Sequence, residues 1–370
     1  MERDCYSWNT SFPAVTICPN SKINENLLED YLETVTVKNK TELASFLRTL
    51  AVANYKSFDK VLSYFEIPSE EFMDILLKLQ LNFKPFVSNF VLQDSKYYLE
   101  KTITEMGICY CFNSNLAVYN SVEYWKSNSW NILEEKPTLS VHPLDGKVVA
   151  NVVNMSSRFT IYFHGPFETI DSSSKSLYSP EESLLQIYLT ALTTFTSDGA
   201  KALAISQRKC QFYYEKTLQH SAVYSYVLCK IECRIALSKR LCGCIPHFYR
   251  RLDDEKVCDA RGLHCLSQYS DRLVMLKKEC PCHLNCDDVN YVIDDYRTRN
   301  WFLGSNLEWG LKEHPKMRLR RDVIFRFTDV LVYIGGMAGL FLGCSVLSFI
   351  EIFYFFTIRF CWFVAKYYKL

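Results

Sequence analysis

The sequence predicts an α+β, disulfide-rich extracellular domain followed by one transmembrane helix. Three observations predict it. Fourteen of sixteen cysteines stand ahead of residue 330, ten of them crowded between Cys210 and Cys286. One uncharged apolar run, Val330 to Ile350, lies near the C-terminus. The remaining 300 or so residues mix β-type stretches with segments of helical spacing, across a length that allows two or three domains.

Composition sets the outer bounds. Lys+Arg 42 against Asp+Glu 41 gives no basic excess of the kind nucleic-acid binders carry. A chain that is 49% hydrophobic and 15% aromatic, with 12 Gly and 11 Pro, is neither disordered nor fibrous and has the apolar material for a large core.

Taken in order, Phe12–Cys18 reads as a short strand, and 41–55 and 57–66 carry helix-like apolar spacing. The stretches 106–113, 147–153 and 158–164 have β-type composition. After Ser179-Pro180-Glu181-Glu182, the run SLLQIYLTALTTF fits either type. Residues 222–240 form a helix with Cys229 and Cys233 on one face, because residues four apart align. A turn-rich stretch holding Cys242, Cys244, Cys258 and Cys265 follows, and a second helix over 266–279 leads to Cys280, Cys282 and Cys286. In such an antiparallel hairpin nested pairing is the simplest, but ten cysteines leave the connectivity open.

Cysteines at this density mark an oxidising compartment. Sequons at Asn9, Asn39 and Asn154 agree with an extracellular, glycosylated domain at the plasma membrane. The flanking charges point the other way: Lys312, Lys316, Arg318, Arg320, Arg321 and Arg326 precede the apolar run, against Arg359, Lys366 and Lys369 after it. Long domains cross membranes largely regardless of such charges, so the cysteines take precedence. The first fifteen residues hold no apolar signal segment, and a membrane helix ahead of residue 1 would resolve how the domain is exported.

Signs of enzymatic chemistry are few. The C-x-C and C-x3-C spacings differ from the paired C-x2-C of zinc ribbons, so no metal site is assigned. Gly-rich phosphate loops, G-x-S-x-G and H-E-x-x-H are missing, and His164 with Glu168 reads as a polar contact at a strand end. The chain is read as a non-enzyme with no cofactor.

Five motifs in order carry a resemblance. FPAVTIC (Phe12–Cys18), GICYCFN (Gly107–Asn113) and YFHGPFE (Tyr162–Glu168) precede the cysteine block Gln207-Arg208-Lys209-Cys210 through Cys286. The apolar run then brings Gly335-Gly336, Gly339-Leu340-Phe341, Gly343-Cys344-Ser345 and Glu351, within a stretch ending FIEIFYFFTIR. Together they resemble the degenerin/epithelial (amiloride-sensitive) sodium channel family, most of all its insect pickpocket branch. The resemblance implies a trimeric, sodium-selective, amiloride-sensitive cation channel with a mechano- or chemosensory role. It would be a homo- or heterotrimer with sister subunits in the lipid bilayer, permeated by Na+, its extracellular ligand unknown.

Each subunit of that family is built as a β-sheet palm and β-ball with helical finger, knuckle and thumb. Carried over, the extracellular domain spans 1–322 (thumb about 210–286), the pore-lining helix 323–358 and a short cytoplasmic tail 359–370. The implied disulfides are Cys18–Cys109, Cys210–Cys286, Cys229–Cys282, Cys233–Cys280, Cys242–Cys265 and Cys244–Cys258. Cys5 and Cys111 are left over as an extra bridge.

Gly336, Gly339, Gly343, Cys344 and Ser345 correspond to the filter and pore. Val332 and Tyr333 fall at gating positions, and Tyr333 replaces the acidic residue of proton-gated relatives, so proton gating does not carry over. Gly335, Gly339 and Gly343, four apart, form a bare stripe that lets backbones approach. Glu351 is a carboxylate in an apolar segment, a functional-site candidate by default. The family's cytosolic N-terminus and first membrane helix have no counterpart here, as in an incomplete sequence or a truncated regulatory subunit. The competing reading is a non-conducting, single-span receptor or adhesion ectodomain, which leaves the Gly stripe, the G-x-S triplet and Glu351 unexplained.

Overall fold

Burial alternates along Ser183–Thr196, with Ser183, Leu185, Ile187, Leu189 and Ala191 inside, and this makes the ambiguous SLLQIYLTALTTF run a strand. The computed structural model describes residues 3, 5–81, 86–89, 97–127, 130–155, 158–215, 218–252, 254–276, 280–302, 304–343 and 345–368. It divides into two units, residues 1–196 with 203–320, and residues 197–202 with 321–370.

The principal strands of the first unit are β1 (Ala14–Pro19), β2 (Glu100–Thr104), β3 (Gly107–Phe112), β4 (Val149–Met155), β5 (Phe159–His164), β6 (Leu177–Ser179), β7 (Ser183–Thr196), β8 (Asp288–Asn300) and β9 (Ser305–Leu311). They form two sheets. One has the order β6-β5-β1-β3-β2 and is antiparallel throughout. The other runs β8-β7-β9-β4 and continues through two short strands, with β7 and β9 parallel. Phe12, Val15, Ile17, Phe159, Leu185, Ile187, Leu307 and Trp309 come from both sheets and make one buried core. Trp309 is fully buried with Phe12 and Phe112 against its ring, and its Nε1 donates to the Pro13 carbonyl at 3.2 Å. A buried Trp needs such a partner.

A second core is helical. It gathers α1 (Glu25–Thr34), α2 (Lys40–Ala51), α3 (Phe72–Leu79), α5 (Tyr226–Cys242), α6 (Ala260–Ser267) and α7 (Ser270–Met275), while α4 (Val122–Lys126) packs at its edge. Asn39 starts α2, its Oδ1 accepting from the Glu42 amide at 3.3 Å.

Two helix expectations are corrected. Residues 57–66 are irregular apart from one turn at Phe58–Lys60, and Phe58, Val61 and Tyr64 are buried while Leu62 and Phe65 are exposed. Burial at every third residue belongs to an extended path, held by the Leu62 amide on Thr49 Oγ1. The helix expected over 266–279 is instead two short ones. Asp259 caps the first, and the second ends at Leu276 with φ +43°, so residues 277–279 fall outside the described set. The helix expected at 222–240 begins later, at Tyr226, because Ala222 to Ser225 are buried in an extended lead and Ser225 supplies the cap.

Among the described residues six disulfides form: Cys18–Cys109, Cys210–Cys286, Cys229–Cys282, Cys233–Cys280, Cys242–Cys265 and Cys244–Cys258. These are the pairs the resemblance implies, and the last five are nested. The extra bridge between Cys5 and Cys111 is not formed, since Cys111 is a free, buried thiol. It faces Thr16 across β1 and β3 and accepts from its hydroxyl at 3.3 Å. Burial pushes its pKa up to about 12, so it stays a thiol.

Arg234 of α5 is fully buried. It donates to Asp171 at 3.1 Å, to the Leu273 carbonyl at 2.7 Å and to Glu105 in the turn between β2 and β3. Glu105 also accepts from Ser172 and Tyr249, and Asp171 pairs with Lys230 at 2.6 Å. Burial raises the Asp171 pKa, yet Arg234 and Lys230 outweigh it and hold the carboxyl down to about 2. This network ties α5 to the β2–β3 turn.

Candidate ion-conducting segment

The second unit is built from one apolar stretch. Helix α8 (Phe327–Leu342) starts after Arg326, whose amide donates to Asp329 at 2.9 Å; a carboxylate in the first turn suits the positive end of the helix dipole. No charged residue follows Asp329 until Glu351. α8 ends at Gly343, which takes φ +62° and returns its amide to the Ala338 carbonyl. That left-handed turn costs an L-residue about 1–2 kcal/mol and glycine almost nothing.

Helix α9 (Val346–Tyr354) restarts within three residues. Ser345 is its cap: the Ser345 hydroxyl accepts from the Ser348 amide, and Ser348 Oγ accepts from the Ser345 amide, each at 3.3 Å. One wider turn, Phe355–Arg359, joins α9 to α10 (Phe360–Tyr367). Helical structure therefore continues past the expected boundary at Arg359. The 21 residues Leu347–Tyr367 are long and apolar enough to cross a membrane, at about 32 Å of rise.

The structure gives each expected pore residue a place. Gly343 is the break and Ser345 the restart. Gly339 lies one turn before the break, and Cys344 falls outside the described residues. A Cβ added at Gly335, Gly336 or Gly343 would meet no atom within 4 Å, so this face is open within the chain. Val332 and Tyr333, in the second turn of α8, are 74% and 65% exposed. Leu340, Phe341, Leu347 and Phe353 are exposed as well. Apolar exposure on this scale calls for lipid or for other helices.

Ser348 was missed by sequence reasoning. It stands three residues from both Ser345 and Glu351, so S-x-x-S-x-x-E lines up three oxygen-bearing side chains on one helix face. The spacing of that triplet was the available signal. Glu351 follows Ser345 by six residues, about 9 Å along the axis, and is exposed.

Chemically, the break does two things. The last carbonyls of any helix lose their helical N–H partners, and such carbonyls can take the place of water around a cation. Hydroxyls and a carboxylate then continue the polar path on the α9 side.

The other named residues serve the frame. His164 Nδ1 donates to the Gly165 carbonyl at 2.8 Å, which leaves Nε2 to accept from the Thr16 hydroxyl at 2.8 Å. Burial pulls its pKa down to about 4. Glu168 does not meet His164 as an acid–base pair. It caps α5, accepting from the amides of Val227 and Thr169 and from Asn285 Nδ2, at 3.3, 3.0 and 2.9 Å. Burial raises its pKa to about 7.

Of the sequons, Asn9 is exposed, and Asn39 uses only Oδ1 for its cap, leaving Nδ2, the atom a glycan takes. The Asn154 sequon ends on Ser156, outside the described residues.

Comparison with known proteins bears on residues 1–355, which match the family model described as "Amiloride-sensitive sodium channel". The chain is 24% identical to "Sodium channel protein Nach" of Drosophila melanogaster over 417 aligned positions, covering 97% of this chain and 75% of that protein. To the Drosophila virilis protein of that name it is 30% identical over 187 positions, 46% of this chain and 49% of the relative. "Pickpocket protein 11" of Drosophila melanogaster is 24% identical over 221 positions, 55% and 43% of the two chains.

Proposed function

The chain belongs to the amiloride-sensitive sodium channel family, and on that premise we propose that it is a subunit of a trimeric, sodium-selective, amiloride-sensitive channel of the plasma membrane. The observation that carries this reading is the left-handed break at Gly343, reopened by Ser345, inside an apolar helical stretch. Irregular backbone at membrane depth is stable only where it lines a cavity or is covered by protein. Three copies around an axis supply both: a ring of main-chain and Ser345 oxygens replaces the ion's water, and the bare Gly335–Gly339–Gly343 face lets the copies approach.

Glu351, one to two turns further on, concentrates cations at one mouth of the passage. In this arrangement the domain before residue 323 is extracellular. Its two sheets are the palm and ball, α5 to α7 with the nested disulfides are the thumb, and α1 to α4 belong to finger and knuckle. The pore is formed with sister subunits, and the stimulus is mechanical or chemical.

The test is electrical. Cells express the chain alone, with a family-type first membrane helix fused ahead of residue 1, and with sister subunits. The reading predicts an inward sodium current blocked by amiloride in at least one combination. Surface-expressed protein that carries no such current in any of them contradicts it.

A further inference from the structure

A groove on the first unit is built for something other than sodium. It lies between α3, α4 and the chain from His247 to Val257, with a volume of about 430 Å³, within the range of small-molecule sites. Trp125, Trp130 and Met73 form apolar walls. Trp125 Nε1 is already bonded to the Tyr119 carbonyl at 2.8 Å, so its ring is available as surface.

Two polar side chains in this wall are more than nine-tenths buried and incompletely partnered. Arg250 is 6% exposed, and its Nη1 has no hydrogen-bond partner. Its guanidinium lies 3.9 Å from the Trp130 ring centroid, so the aromatic face holds it without neutralising its charge. His247 is 5% exposed, and its Nδ1 is likewise without a partner. Leaving such a donor unpaired costs about 1–3 kcal/mol, more for a charged group, and native structures rarely tolerate it without a reason.

The charges around the groove decide the sign of the missing partner. Asp74 is paired with Lys126 at 3.1 Å, and Glu70 and Arg251 are exposed at the rim. The deep charge is Arg250 alone. Burial holds the His247 pKa down to about 4, so at neutral pH it offers a neutral hydrogen bond beside the guanidinium.

We propose that this groove binds a small aromatic carboxylate, its anionic head on Arg250 Nη1 and His247 Nδ1 and its ring between Trp125 and Trp130. A planar carboxylate matches the guanidinium fork, and charge-assisted bonds of this kind are about twice as strong as neutral ones. The apolar walls exclude inorganic anions as the preferred occupant, since those would leave the tryptophans uncovered. The site does not depend on ion conduction, and it is read by binding alone.

The experiment uses the full chain in lipid nanodiscs, with indole-3-acetate as probe and indole-3-acetamide as its uncharged counterpart, followed by saturation-transfer NMR. The acid should bind about tenfold more tightly than the amide, a difference of about 1.4 kcal/mol. Arg250→Gln should bring the two probes to equal affinity, Arg250→Lys should retain part of the preference, and Met73→Trp, which fills the groove, should abolish binding of both. If Arg250→Gln does not fold, Met73→Trp decides alone. Equal affinity of acid and amide for the unaltered protein, an unchanged preference in Arg250→Gln, or binding that survives Met73→Trp would overturn the proposal, as would no binding of either probe at its solubility limit.

Discussion

Two helices of this chain end on the same device with opposite consequences. α5 stops at Gly243, φ +72°, and α8 stops at Gly343, φ +62°. Neither glycine is required by crowding, since a Cβ at either position would meet nothing within 4 Å. Each is required by its backbone angle. Around Gly243 the neighbours Cys242 and Cys244 are both in disulfides, to Cys265 and Cys258, so the chain is turned back and locked. Around Gly343 no such lock exists among the described residues, and Ser345 restarts the helix at once. A left-handed glycine sets a turn; the residues beside it decide whether the turn becomes a rigid corner or an opening in a membrane helix.

The largest effect that would sharpen this contrast is loss of a ladder rung. The double change Cys229→Ser with Cys282→Ser opens a bridge between residues 53 apart and should cost about 4 kcal/mol of stability, seen as a fall in the thermal midpoint. Next comes Arg234→Met, which strands Glu105 and Asp171 as buried unpaired carboxylates and should cost about 3 kcal/mol in denaturant unfolding. Adding Glu105→Gln and Asp171→Asn to it should recover part of the loss. If it does not, the network is not what holds α5 in place.

At the smaller scale of about 1 kcal/mol, Gly243→Ala and Gly343→Ala test the comparison itself. The first should lower the melting midpoint and leave current intact. The second should leave the melt of the extracellular domain unchanged and reduce current, because an L-residue favours closing the break into continuous helix. Equal effects of both on melting would break the comparison.

The smallest effects are those of pH on the frame. The folded-state pKa of Asp171, about 2, lies below its ordinary 3.8. Its contribution is therefore present above pH 4 and lost as pH falls toward 2. Glu168 runs the other way: its folded-state pKa, about 7, lies above 4.5, so the folded chain holds the extra proton and stability falls as pH rises from 4.5 to 7. Glu168→Gln, which mimics the protonated form, should flatten that decline in a melting series between pH 5 and 8. His247 contributes the opposite slope between pH 4 and 6.5, and subtracting the Glu168→Gln curve from the parent removes it.

Much of this was legible in the sequence because its signals are local. The density and spacing of cysteines pointed to a hairpin, the uncharged run to a membrane segment, and Gly343-Cys344-Ser345 to a helix that opens. The strands at 107–112, 149–155 and 159–164 fell where β-rich composition put them.

What was not legible depends on distance along the chain. Arg234 reads as an ordinary charge on a helix until Glu105 and Asp171, 129 and 63 residues away, are seen around it. The 57–66 segment shows helical spacing, yet its exposed Leu62 and Phe65 follow from a contact to Thr49 that no local pattern encodes. Cys111, expected to be bridged, is a thiol because its neighbour in the sheet is Thr16, and only the register reveals that. Ser348 was readable and was passed over.

The account stands on the opening between α8 and α9. Its most direct measurement is the reversal potential in mixed sodium and potassium solutions of cells carrying Ser345→Phe beside the unaltered chain, with surface expression matched. A bulky ring in place of the capping hydroxyl should abolish the current or shift the reversal potential toward that of a non-selective pore. A current with unchanged size and unchanged reversal potential would contradict the claim that ions pass through this break.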